Sequence, residues 1–278
     1  MTNRLAKNPQ TPRYHGLARN GRFTGEVRTF PEKLSAPLHW KKPRRIFVQS
    51  MGDLFHEDVP DEYLCKVFDV IRQSFNRPDG GHRFQVLTKR PCRALDVIPR
   101  LRFDGSGRGR VYLSEAPDST DGYPLGHGVR GATGLTNYWI GVTTEDQQRA
   151  DERIPILLKI PAAVRFVSVE PLLGPVDLNT TPAPTGWIPV NGATRDSIRG
   201  CLPRWQTSPM RARLSRGIDW VICGSETGPG ARPMDLDWAR KLRNDCVAAG
   251  VPFFFKKDSR GNRELDGQKW QQFPEVES

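Results

Sequence analysis

The sequence predicts an α/β fold built on parallel strands, and three observations predict it. Six short runs of β-forming apolar residues recur along the chain, and four of them are followed by a stretch with helical apolar spacing. That alternation is the signature of parallel strands joined by crossover helices. The runs are apolar almost throughout, as expected when both faces of a sheet are covered. Each run also ends in hydroxyls, carboxylates or lysines, at the edge where parallel α/β folds bind ligands. A chain of 278 residues can form one such unit, either barrel-like or doubly wound.

Residues 1–43 are polar, with Asn20-Gly21 and prolines at 9, 12, 31, 37 and 43, and read as an extended, turn-rich lead-in. The α/β domain then spans 44–278. Its first strand is Arg45 to Ser50. In the following Asp61 to Phe75, Leu64, Val67, Phe68, Ile71 and Phe75 share one helical face, and Pro60-Asp61 marks the start. Strand Phe84 to Thr88 precedes a short helix near 92–101. Strand Tyr138 to Thr143 precedes a helix near 146–159. Strands Val164 to Val169 and Asp219 to Cys223 follow, then a helix near 237–249 and the strand Val251 to Phe255. Two stretches carry few core residues and read as long insertions. Residues 103–135 are Gly-rich, and 176–217 hold Thr180-Thr-Pro-Ala-Pro-Thr185 and a basic Arg211–Arg216 segment.

Composition excludes several classes. With 37 % hydrophobic and 26 % charged residues the chain reads as globular rather than disordered or fibrous. No apolar run approaches the ~18–20 residues of a membrane span, and no secretory signal is visible, so no membrane partner is expected. Lys and Arg number 42 against 31 Asp and Glu, a net charge of +11. That excess suits nucleic acid or a phosphorylated substrate, although heavy arginine usage alone would also produce it. The five cysteines, Cys65, Cys92, Cys201, Cys223 and Cys246, include no pair at metal-site spacing. They read as reduced thiols in a cytoplasmic protein without a metal site.

The strand ends supply the candidate functional residues. They are Asp53, Lys89, Thr143 with Glu145, Ser168 with Glu170, the loop Gly224-Ser-Glu226-Thr-Gly228-Pro-Gly230, and Lys256. Lys89 and Glu145 are the candidates for catalysis; Asp53, Thr143, Ser168, Glu170, Gly224, Glu226, Gly228 and Gly230 are candidates for ligand binding. A carboxylate at a strand end is often only the N-cap of the next helix, which suits Asp146 and Asp237. Glu170 fits that reading poorly, because Pro171-Leu-Leu-Gly174 follows it. The glycine loop could bring backbone N–H groups against a phosphate or an adenosine, but it lacks the lysine of a P-loop and the spacing of a dinucleotide fingerprint. His56 reads as a loop histidine with a structural hydrogen bond, and no histidine triad is evident.

Longer blocks resemble a known family. Lys42-Pro-Arg-Arg-Ile-Phe-Val48, Ser50-Met-Gly-Asp-Leu-Phe-His-Glu-Asp-Val-Pro-Asp-Glu62, Phe84-Gln-Val-Leu-Thr-Lys-Arg-Pro91 and Ala150-Asp-Glu-Arg-Ile-Pro155 are among them. Val164 to Pro175, Gly228-Pro-Gly-Ala-Arg-Pro-Met234, Ala249 to Lys256 and Leu265-Asp-Gly267 continue the match. These resemble a family first named from bacteriophage proteins, without a settled activity, that looks like a radical S-adenosylmethionine barrel. The resemblance implies a partial parallel (β/α) barrel of the TIM or radical S-adenosylmethionine type with two long insertions. It also implies S-adenosylmethionine and a 4Fe-4S cluster as cofactors, the cluster held by a three-cysteine loop after the first strand. No cysteine precedes Cys65 here, so that strand and loop are expected to be missing, through a gene start set at an internal Met or a true loss. A barrel short of one strand would leave an open edge that invites another chain.

By strand order the resemblance sets Asp53 at the methionyl amine, and Thr143, Thr144 and Glu145 at the ribose. Ser168 and Glu170 end the next strand, Gly224 to Gly230 face the adenine, and Lys89 or Lys256 meets an anionic substrate. The implied function is radical modification of nucleic acid or a nucleotide precursor, inactive without the cluster cysteines. The alternative is a cluster-free nucleic-acid-binding or accessory protein, working with a partner protein and gripping phosphates through Arg204 to Arg216 with Arg108, Arg110 and Arg130.

Overall fold

In a computed structural model, residues 14–19, 22–75, 77, 81–103, 110–115, 123–124, 137–179 and 217–275 are described. The lead-in contains a small hairpin, β1 (Ala18–Arg19) against β2 (Arg22–Phe23), and two 3-10 turns, Pro31–Lys33 and Ala36–His39. It is more than extended chain. Val27 and Leu34 pack on the main core, and a ring nitrogen of His82 lies 2.7 Å from the Pro37 carbonyl.

The domain then runs β3 (Arg45–Val48), α1 (Asp61–Phe75), β4 (Arg83–Thr88), α2 (Pro91–Val97), β5 (Leu101–Phe103), β6 (Val111–Leu113), β7 (Tyr123–Pro124) and β8 (Tyr138–Thr143). It continues α3 (Gln147–Leu157), β9 (Val164–Val169), β10 (Trp220–Cys223), α4 (Leu236–Ala249) and β11 (Phe253–Phe255). Helix α1 buries Leu64, Val67, Phe68 and Ile71, the face its spacing predicts, and carries Asp61 and Glu62 in the first turn where the helix dipole favours them. Asp146 caps α3 by accepting from the Arg149 N–H at 2.9 Å. For α4 the cap is Asp235, not Asp237, whose own N–H donates to the Asp235 carboxylate.

Six strands form one parallel sheet in the order β11-β10-β9-β8-β4-β3. Spatial order follows chain order without a reversal, which excludes the doubly wound alternative, because that arrangement turns back at a switch point. The sheet curls into a half-barrel. Its curl brings Arg45 of one edge strand over the ring of Phe273, which also packs on Trp220 and Phe254 near the other edge.

Alternate residues divide between two cores. Val86, Ile140, Val142, Val167, Val169, Val221, Phe253 and Phe255 pack under the helices, whereas Trp139, Val164, Phe166, Trp220 and Ile222 form an aromatic cluster on the other, concave face. Gly141 makes that cluster possible: a Cβ there would meet the Phe166 ring at 2.4 Å.

Part of the first insertion is built structure rather than loop. β5, β6 and β7 form a three-stranded antiparallel sheet, and Leu101 and Val111 enter the main core. The short elements escape sequence reading because two- and three-residue strands carry no period. Residues 180–216, and with them Arg204 to Arg216, lie outside the described residues, as do Arg108 and Arg130; Arg110 is exposed. Among the described residues no helix is long and apolar enough to cross a membrane.

Candidate functional site

The concave face changes character along its strands. Register sets Thr143 level with Ser168, and Ile222 level with both Ser168 and Phe254. Two residues further along, this rim carries Glu145, Glu170, Gly224 and Lys256, and Lys89 enters from the end of β4. Two ion pairs result. Lys89 Nζ donates to Glu145 Oε1, and Lys256 Nζ donates to Glu170 Oε2 at 2.5 Å. Both lysine heads stay open to solvent, with side chains 53 % and 48 % exposed.

Glu145 is held from two sides. Arg153 on α3 donates to its other oxygen at 3.0 Å and to the Thr143 carbonyl at 2.7 Å. Burial pushes the Glu145 carboxyl up, but the hydrogen bond and charge of Lys89, with Arg153 behind it, outweigh that and hold it below its ordinary value. It therefore stays ionised near neutrality, an acceptor rather than a proton donor. Sequence reading missed Arg153, because a helical residue eight positions on gives no local sign of reaching back.

Glu170 lies along the backbone of Gly224, where a Cβ would stand 3.1 Å from Oε1 and 3.2 Å from the carboxyl carbon. The loop after β9 is tied over both neighbours. The Leu172 N–H donates to the Gly224 carbonyl at 2.9 Å and the Leu173 N–H to the Glu145 carbonyl at 2.8 Å. Thr143 and Ser168 are buried between the two ion pairs. Beside them Thr144 and Ser225 are also buried, each with a hydroxyl that makes no hydrogen bond.

The other candidates serve their own loops. Asp53 Oδ1 accepts from the Phe55 N–H at 3.0 Å and the Thr88 hydroxyl at 2.7 Å, and Oδ2 from the Lys89 N–H at 2.9 Å and Arg90 at 3.3 Å. With four donors in place, it clamps the loop after β3 to the end of β4. Arg90 is held in turn by Glu57. Glu226 accepts the Arg232 guanidinium through both oxygens and the Arg232 N–H at 2.9 Å; that hydrogen bonding takes its carboxyl down to about 2. Gly228 and Gly230 adopt positive φ in the same exposed loop, which closes on itself. The structure thus gathers Lys89, Thr143, Glu145, Ser168, Glu170, Gly224 and Lys256, and leaves Asp53, Glu226, Gly228 and Gly230 occupied or apart. His56 accepts from the Asp58 N–H.

The described cysteines do not form a ligand set. Cys223 and Cys246 are buried and Cys92 exposed. Desolvation pushes the Cys65 thiol up to about 11 and Cys246 to about 12, and raises Cys223 as well, all away from thiolate character. Among the described residues, no group of three His, Cys, Asp or Glu could hold a metal ion.

The family model described as "Protein of unknown function (DUF5131)" matches residues 1–274, and the chain belongs to that family. No curated protein and no solved structure matches the chain.

Proposed function

Taking that membership as the premise, we propose that the rim of the half-barrel binds S-adenosylmethionine, in a protein of the radical S-adenosylmethionine type directed at nucleic acid or a nucleotide precursor. The observation that supports this most is the pair of opposed ion pairs, Lys89–Glu145 and Lys256–Glu170, flanking the buried hydroxyls of Thr143 and Ser168 on one concave face. Such a site offers two cations and two anions across a hydroxyl-lined floor. It matches a zwitterion carrying a carboxylate, an ammonium and a ribose diol.

The residue roles follow from which groups have capacity left. Glu170, with one lysine partner, takes the ammonium; Asp53, already accepting four donors, does not. Lys256 or Lys89 takes the carboxylate, exchanging one oxygen anion for another. Thr143 and Ser168 face the ribose, whereas the Gly224 N–H and C=O are already bonded to Val169 and Leu172 and take no part in holding the adenine. When bound, the ligand supplies an electrophilic sulfonium carbon. The described cysteines do not fit an iron–sulfur cluster, so no reductive step is derived for these residues.

Isothermal titration of the chain with S-adenosylmethionine, S-adenosylhomocysteine and adenosine tests the reading. Binding of the first two, weakened at least about tenfold in Glu170→Gln and in Lys256→Met, is the expected result. No binding of any of the three overturns it. Tight, salt-sensitive binding of an oligonucleotide without any adenosyl ligand would instead support the cluster-free nucleic-acid-binding reading.

A further inference from the structure

The cations of the described residues fall into two kinds. Arg90, Arg93, Arg149, Arg153, Arg232 and Arg240 each hold a carboxylate. Lys41, Lys42, Arg44, Arg45 and Arg83 hold none among the described residues. They nevertheless lie together: Arg45 stands in register with Arg83, whose N–H donates to the Arg44 carbonyl at 2.9 Å. The four from Lys41 to Arg45 are exposed. We propose that this cluster is a binding surface for the phosphate backbone of a single-stranded nucleic acid.

The turn that carries the cluster is fixed from behind. The His82 ring is fully buried and accepts from the Arg44 N–H at Nδ1, 3.1 Å away. Its proton is therefore on Nε2, which donates to the Pro37 carbonyl at 2.7 Å. Arg77 donates to the Trp40 carbonyl at 2.7 Å and the Lys41 carbonyl at 3.4 Å. Residues 37–44 are thus pinned at both ends and in the middle to the chain between α1 and β4. Arg45 and Arg83 begin adjacent strands, and like charges directly across neighbouring strands cost stability. A fold that holds five unmatched cations in one place against that cost presents a concentrated positive field, which a polyanion relieves.

The side chains select the polyanion. Arg44, Arg45 and Arg83 are arginines, whose planar guanidinium takes phosphate oxygens in pairs. Arg44 lies over the Trp40 ring, 4.7 Å from its centroid, and is itself exposed, so the other face of the guanidinium can take an unpaired base. From Lys33 to Gly52 the chain has no Asp or Glu, so nothing on this segment repels a phosphate. The cluster lies where β3 and β4 begin, whereas the Lys89–Glu145 pair lies past the end of β4, a strand of six residues or about 20 Å. The surface therefore goes beyond the adenosyl reading of the rim and does not depend on it.

Fluorescence anisotropy of the full chain with a labelled oligothymidylate dodecamer tests the proposal. The strand binds, and log K falls with log salt concentration at a slope of about −3.5, the value for five single-strand phosphate contacts at about 0.7 each. Lys41→Gln with Lys42→Gln, both exposed and outside every helix and strand, leaves the melting temperature unchanged. It weakens binding about tenfold and cuts the slope by about 1.4. Arg45→Gln with Arg83→Gln weakens binding likewise. No binding, a slope near zero, or an affinity unaltered in both double variants overturns the proposal. A polyglutamate of equal length that binds as tightly would make the surface a site for an acidic protein, and a duplex that binds more tightly would remove the stacked base. Either result also overturns it. Adenosyl binding at the rim is read separately by the titration above, so each of the two readings can fail alone.

Discussion

At the N-terminal end of the concave face, Trp220 sits at the centre of Trp139, Phe166, Phe254 and Phe273, with ring centroids 5.2 to 6.2 Å from its own. Two to four residues along the same strands the side chains are Thr143, Ser168, Glu170, Gly224 and Lys256. Both ends lie on the same backbone and obey the same alternation. They differ in side-chain size and charge, and in what stands against them. The aromatic end is closed by Phe273 returning from the C-terminal segment, whose Gln272 carbonyl accepts the Trp220 indole N–H at 3.0 Å. The polar end has no such plug among the described residues, and its lysines remain in water. One end of the face holds the half-barrel together, and the other keeps its lysines exposed to solvent.

Substituting glycine at each end sharpens that division. Gly141→Ala pushes a methyl into the Phe166 ring, deep in a packed cluster, and should cost about 2–3 kcal/mol, read as a melting temperature lower by roughly 5–10 °C. Adding Phe166→Leu to Gly141→Ala should recover part of that loss. A Gly141→Ala protein as stable as the parent would break the idea of a rigid floor.

Gly224→Ala meets only the flexible end of Glu170, at 3.1 Å, so its cost should be under about 1 kcal/mol. It should instead displace the Glu170–Lys256 pair and weaken the adenosyl ligand more than it lowers the melting temperature. Equal effects on both readouts would mean that the rim is structural as well.

The smallest expected effect is at Glu145. Its carboxyl is held below the ordinary 4.5 in the folded chain. As pH falls through 4.5 the unfolded chain takes up a proton first, so stability drops with falling pH in that window and is fully present above it. Glu145→Gln removes the titration. Thermal melts at stepped pH should show Glu145→Gln less stable at pH 7, with the gap narrowing as pH falls below 4.5. A gap that does not depend on pH would remove the charge of Glu145 from the explanation.

These comparisons also separate what could be read from one dimension. The six main strands and four helices were legible, because local signals agreed: apolar runs bounded by turn residues, the helical spacing of Leu64, Val67, Phe68 and Ile71, and Asp146 before α3. The strand-end rule brought Lys89, Thr143, Glu145, Ser168, Glu170 and Gly224 to one rim. At Asp53 and Glu226 the same rule meets carboxylates that already have partners within the protein. A carboxylate at a strand end looks identical in sequence whether its oxygens face a ligand or are taken by Thr88, Arg90 or Arg232.

The sequence by itself determined the parallel α/β class and the polarity of the strand ends, since periodicity and turn chemistry act over a few residues. Only the tertiary structure decided that the sheet winds in one direction, that Arg153 and Lys256 stand behind Glu145 and Glu170, and that β11 is covered by the C-terminal segment. Those outcomes depend on contacts between residues up to 86 positions apart, as from Glu170 to Lys256. No local pattern specifies which distant partner satisfies a charge or an unpaired backbone group.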